Sequence, residues 1–139
     1  MKIFVLEDDS DCYGVINWLQ DSTNSIMHAK NLEDACYFLE YEEPYRDYGK
    51  FIMDASVPAA SVIHPDGRQT EYNGLYNGID YITDSFEGLG IDLSRVAILT
   101  AFALQVEEYV AKKYPNYAIK IISKNDGDLT KSLQEFLRA

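Results

Sequence analysis

The chain has 139 residues, 47% of them hydrophobic and 25% charged, and carries a net charge of −11. That fits one globular domain with a sizeable core, while the acidic balance argues against a nucleic-acid partner, which requires basic patches. Cys12 and Cys36 are too few and too far apart to suggest a disulfide framework or a zinc site, and they read as core thiols.

The elements follow in a regular order. "KIFVL" (2–6) is a short apolar strand that runs directly into "EDDSD". The N-terminus lacks the charged region, apolar run and cleavage site of a signal peptide, and no stretch reaches the length of a membrane span. The expected location is the cytoplasm, with no membrane insertion. "CYGVINWLQ" spaces Tyr13, Ile16 and Leu19 as a helix, with Ser10 or Asp9 as its N-cap. "SIMHA" (25–29) is a weak second strand, and "NLEDACYFLEY" is a helix capped by Asn31. "GKFIMD" is the third strand. A turn-rich stretch leads to "GIDYITDSF", a helix, and then to "RVAILTA" (95–101), the clearest buried strand. "ALQVEEYVAKKY" is a helix stopped by Pro115. "YAIKIIS" (117–123) is the fifth strand, and "DLTKSLQEFLRA" closes the chain as an amphipathic helix with Leu129, Leu133, Phe136 and Leu137 inward.

Five strands alternating with helices predict an α/β fold: a doubly wound, five-stranded parallel sheet with helices on both faces, in one domain spanning 1–139. Ligands of such sheets bind outside the carboxyl ends of the strands. There the sequence places Glu7, Asp8 and Asp9 after the first strand, Asp54 after the third, Thr100 after the fourth and Lys124 after the fifth. Each has a plain alternative: Asp8 or Asp9 as a helix cap, Lys124 as a solvated loop residue. Together they predict a shared cleft. Crowded carboxylates repel unless a cation joins them, and hard oxygen ligands favour Mg²⁺. With a free carboxylate as nucleophile, and a lysine and a hydroxyl to hold phosphoryl oxygens, the chemistry that fits is phosphoryl transfer to aspartate.

On "IFVLEDD", "FIMDASVP", "VAILTA" and "IKIISK", taken in that order, the chain resembles the receiver domains of two-component response regulators over almost its whole length. The resemblance implies the flavodoxin-like receiver fold. It implies Asp54 as phosphoacceptor, Glu7 and Asp8 as the acidic pair holding Mg²⁺ together with Asp54 and the backbone carbonyl of Ser56, and Thr100 and Lys124 as the switch hydroxyl and the family's lysine. Asp9 is then left to cap the first helix. The implied phosphoryl donor is a histidine kinase or a histidine phosphotransfer protein, and the output is contact with a downstream protein target. Such a stand-alone receiver is not an enzyme beyond its own phosphoryl transfer and dephosphorylation.

The chain departs from the family pattern in four places. Asn125 follows the lysine where the family has a cis proline, so a trans bond is expected. Ile121 stands where the family often has an aromatic switch residue. Phe102, two residues after Thr100, occupies the position that influences access of the hydrolytic water. At about 59–77 the chain inserts "AASVIHPDGRQTEYNGLYN", whose form predicts a β-hairpin turning at Pro65-Asp66-Gly67, with Asn-Gly pairs carrying the chain back. It is expected to project from the rim of the site, with Val62, Ile63, Tyr72, Leu75 and Tyr76 either packed on the third helix or forming a docking surface. His64 offers a ligand or a base, and the simpler expectation is a solvated side chain.

Two other functions compete. Asn125 and Ile121 favour a receiver-shaped binding module that works without phosphorylation. An aspartate-nucleophile phosphatase needs a second aspartate two residues after Asp54, and Ser56 occupies that position.

Overall fold

The computed structural model describes residues 1–42 and 47–139. Five strands, β1 (Lys2–Leu6), β2 (Ser25–Ala29), β3 (Tyr48–Asp54), β6 (Val96–Thr100) and β7 (Lys120–Ser123), form a parallel sheet in the order β2-β1-β3-β6-β7. The order reverses between β1 and β3. Side chains alternate across a strand, so each central strand feeds two cores. Ile3, Val5, Ile52 and Leu99 pack with Ile16 of α1 (Ser10–Asn17) and with Leu133 and Phe136 of α5 (Leu129–Arg138). On the other face Phe4, Leu6, Phe51, Met53 and Ile98 join α2 (Leu32–Cys36), α3 (Asn77–Leu89) and α4 (Ala103–Lys113). No described helix is long and apolar enough to cross a membrane.

The expected elements are all present, with shifted ends. The fifth strand is shorter than 117–123: its ladder to β6 begins at the Ala97–Lys120 pair, so 117–119 lie outside the ladder. The second helix is α-helical only to Cys36. Tyr37–Tyr41 then widen into a π-helical turn closed by Glu42 N donating to Tyr37 O at 3.1 Å, a local form often found at functional positions. Asn31 caps α2, its Oδ1 accepting from Asp34 N at 2.8 Å.

The insertion folds as the predicted hairpin. β4 (Ala60–Ile63) and β5 (Gln69–Tyr72) pair antiparallel, and Gly67 takes φ 89° in the turn, a conformation side chains disfavour. The hairpin packs back on the domain, and its contact with the third helix is one of the two expected arrangements. Its alternation is apolar on one face, so Val62 and Tyr72 are buried against α2 and α3, while Ile63 and Leu75 stay outside. Tyr72 meets Tyr81 edge-to-face at 5.8 Å. His64 is not solvated but buried, at 2% exposure. Of the two Asn-Gly pairs only Asn73-Gly74 lies in the return loop; Asn77-Gly78 opens α3.

Candidate functional site

Four parallel strands, β1, β3, β6 and β7, bring the carboxyl-end residues together because their apolar runs all end at the same edge of the sheet. Glu7 leaves β1 with its backbone pinned: its N–H donates to Ala29 O at 3.0 Å, and His28 Nε2 donates to Glu7 O at 2.7 Å. The side chain turns inward and is fully buried. Oε1 accepts from Lys124 Nζ at 2.9 Å and from Asp9 N at 3.1 Å, whereas Oε2 is buried with no partner among the described residues. Asp54, 3% exposed, accepts from Ser56 N at 3.0 Å on Oδ1 and from Lys124 Nζ at 3.3 Å on Oδ2. Lys124 is therefore no solvated loop residue; it bridges both acids. Asp8 is exposed beside them, and oxygens of Glu7, Asp8 and Asp54 lie within 4.8 Å of one another.

Asp9 takes the capping role, its Oδ1 accepting from Asp11 N at 2.9 Å and Cys12 N at 3.4 Å. Thr100 is buried and accepts from Phe102 N at 2.9 Å, which leaves its own hydroxyl proton free to donate. Asp8, Asp9, Asp54, Ser56, Thr100, Ala101, Phe102 and Lys124 line one open cavity of about 230 Å³. All six predicted site residues thus come together.

Three carboxylates face one ammonium here, and the imbalance shows in the titration. Burial, then the charge of Glu7, pushes the Asp54 carboxyl up to about 8, and the more distant Lys124 contact only partly opposes this. Burial works against the Lys124 charge, but the hydrogen bond to Glu7 and the charge of Asp54 outweigh it and hold the ammonium above its usual range. The half-buried Cys12 thiol nearby rises to about 12, through burial and then Glu7. The residues fit a hard divalent cation: the donors are carboxylate oxygens within 4.8 Å of one another, one ammonium does not balance three carboxylates, and Glu7 Oε2 has no partner among the described residues.

The lysine loop is trans, as expected; no described peptide bond is cis. Asn125 ties this loop in another way. Its Nδ2 donates to Ala101 O at 2.9 Å and its N–H to Ser123 Oγ at 3.1 Å, while Lys124 N donates to Thr100 O at 2.7 Å. Phe102 stands at the cavity edge, more than half exposed, and Ile121 is half-buried.

Two residues the sequence did not mark hold the site in shape. Gly78 N donates to Ala55 O at 3.0 Å, which presses the start of α3 onto the loop after Asp54. Asn77 Nδ2 donates to Val57 O at 3.1 Å and its Oδ1 accepts from Gly74 N at 2.8 Å, so one buried amide joins both ends of the insertion. Their Asn-Gly pairing suggests a turn; the glycine before a helical run was the available signal.

Comparison with solved structures decides the fold. The Mn²⁺-bound form of response regulator Rcp1 matches with TM-score 0.63 at 17% identity, covering 96% of this chain and 89% of that one. A response regulator receiver domain from Rhodospirillum rubrum matches with TM-score 0.62 at 19% identity, covering 99% and 92%. The chain has the receiver fold. The chain adds a hairpin, β4–β5, outside the five-stranded sheet. A de novo designed Rossmann 2x3 protein also matches, with TM-score 0.57 at 17% identity over 99% of this chain and 89% of that one, so the layering alone specifies no chemistry. No family model and no curated protein matches the sequence.

Proposed function

We propose that this receiver accepts a phosphoryl group on Asp54 from a phosphohistidine donor, in a Mg²⁺-dependent step, and signals through protein contacts. The observation that carries the reading is Lys124 placed between Glu7 and Asp54, with Glu7 Oε2 left without a partner among the described residues. An Asp54 oxygen attacks phosphorus and forms the new O–P bond. The donor's P–N bond breaks and its electron pair stays on the imidazole nitrogen. Lys124 Nζ, already 3.3 Å from Asp54, moves onto a phosphoryl oxygen, and the Thr100 hydroxyl donates to another. Glu7, Asp8, Asp54 and the Ser56 carbonyl would hold Mg²⁺, which supplies the positive charge that keeps Asp54 ionised and offsets charge on the transferring group.

Asn125 and Ile121 leave this machinery intact, since the Asn125 amide stitches the lysine loop to Ala101. A module that docks without phosphorylation is thereby the weaker reading. The donor is a histidine kinase or histidine phosphotransfer protein, and the output is a changed surface read by a protein target. Incubation with acetyl phosphate and Mg²⁺, followed by hydroxylamine, tests the acyl-phosphate linkage. The label should be released by hydroxylamine, and a hydroxylamine-stable label would refute Asp54 as its site.

A further inference from the structure

We propose a second metal site, for a thiophilic divalent cation of the Zn²⁺ class, formed by Cys36 Sγ, Glu40 Oε1 and His64 Nδ1 where the inserted hairpin meets the second helix. One ligand atom from each of the three residues lies within 4.8 Å of the others, Nδ1 and Oε1 are 2.6 Å apart, and Cys36 and His64 are buried. Cys36 and Glu40 are four residues apart, on one side of the helix where it widens into the π turn, and His64 immediately follows β4. The donors differ from those around Asp54. Sulfur, imidazole nitrogen and one carboxylate select Zn²⁺ or a similar ion over Mg²⁺. A thiolate and a carboxylate together neutralise two positive charges.

Two of the ligands already have the outer partners that metal ligands need. His64 Nε2 lies 3.1 Å from Thr70 Oγ1, which orients the ring so that Nδ1 faces Glu40 at 2.6 Å. Tyr81 donates to Glu40 Oε2 at 2.6 Å, leaving Oε1 for the cation. A cation with bonds of about 2.0–2.3 Å at tetrahedral angles sets its ligands roughly 3.3–3.8 Å apart. The His64–Glu40 contact therefore opens by about an ångström as Cys36 closes in. The thiol proton leaves to solvent, since the thiolate is the ligand. The proton between Nδ1 and Oε1 passes through solvent to Nε2, so the neutral ring binds the cation through Nδ1 and donates Nε2–H to Thr70 Oγ1. Solvent completes the fourth position. Without the ion His64 and Glu40 bond each other and the Cys36 thiol donates to Ile63 O at 3.8 Å, so the chain folds either way and the metal staples the hairpin to the receiver body. This inference stands independently of phosphorylation at Asp54.

Cobalt titration of the chelator-stripped full chain, followed by absorbance, tests it. One equivalent of Co²⁺ should give a near-ultraviolet sulfur-to-cobalt charge-transfer band that Zn²⁺ abolishes and excess Mg²⁺ does not, and Zn²⁺ should raise Tm. Cys36→Ser should lose the band, while Cys12→Ser and Asp54→Asn keep it. His64→Gln should weaken Co²⁺ binding by a factor of roughly ten or more. Absence of the band in the unaltered chain, its loss in Cys12→Ser with retention in Cys36→Ser, or a Tm indifferent to Zn²⁺ would each overturn the site and leave a hydrogen-bonded clasp.

Discussion

Gly78 lies against Asp54 so closely that a Cβ on residue 78 would sit 1.9 Å from the Asp54 carbonyl oxygen. The start of α3 and the end of β3 therefore touch backbone to backbone, and neither can yield by rotating a side chain. Gly78→Ala must push α3 away from the loop that carries Ser56. It is expected to destabilise the fold by about 1–3 kcal/mol, the usual cost of overpacking, and to slow acetyl-phosphate labelling. Urea unfolding measures the first effect. Unchanged stability would show that α3 does not fix this loop.

Asp54→Asn should stabilise the protein in the absence of Mg²⁺, and by more at higher pH. The folded carboxyl titrates at about 8, above its ordinary value of 3.8. Below the lower value Asp54 is protonated in both states and costs nothing. As pH rises towards the upper value the unfolded chain gives up the proton that the folded one retains, so stability falls. The Tm gain of Asp54→Asn over the unaltered chain should therefore grow between pH 4 and pH 8 and shrink with millimolar Mg²⁺. A gain independent of pH would contradict burial and Glu7 as the cause.

Lys124→Ala removes the cation from a fully buried Glu7 and leaves both oxygens of its carboxylate without a charged partner. The expected cost is roughly 3 kcal/mol, as for breaking one half of a buried pair. Adding Glu7→Gln should recover part of it. Chemical denaturation of the two single variants and the double variant gives the coupling, and strict additivity would mean that the 2.9 Å contact stores no interaction.

The sequence and structure agree best where physics acts locally. A strand buried on both faces must be apolar throughout, which made β1, β3 and β6 legible, and with them the residues at their ends. Asp54, Glu7 and Lys124 followed because the fold itself brings strand ends to one edge. Edge strand β7 was overextended because its length depends on where β6 begins. His64 was misjudged for a different reason: a histidine beside a turn looks solvated, and its burial depends on Glu40, twenty-four residues away in sequence. The hairpin's packing on the third helix was one of the expected arrangements, but its contact with α2 was hidden, since alternation in β4 and β5 reveals an apolar face but not all that it covers.

Replacing residues 60–76 with a short Gly-Ser loop should cost at least about 3 kcal/mol, because Val62, Tyr72 and Tyr76 are all buried, each worth about 1.5–3 kcal/mol. Small-donor labelling of Asp54 should persist in whatever fraction remains folded. Thermal melting without loss of Tm would show that the hairpin is not part of the core.

Intact-mass measurement after incubation with acetyl phosphate, with and without Mg²⁺, tests Asp54 as the phosphoacceptor. The expected result is a gain of one phosphoryl group that requires Mg²⁺, disappears in Asp54→Asn and is reduced in Glu7→Gln. A chain that gains no mass with Mg²⁺ present, or an Asp54→Asn variant that gains as much as the unaltered chain, would contradict Asp54 as the phosphoacceptor.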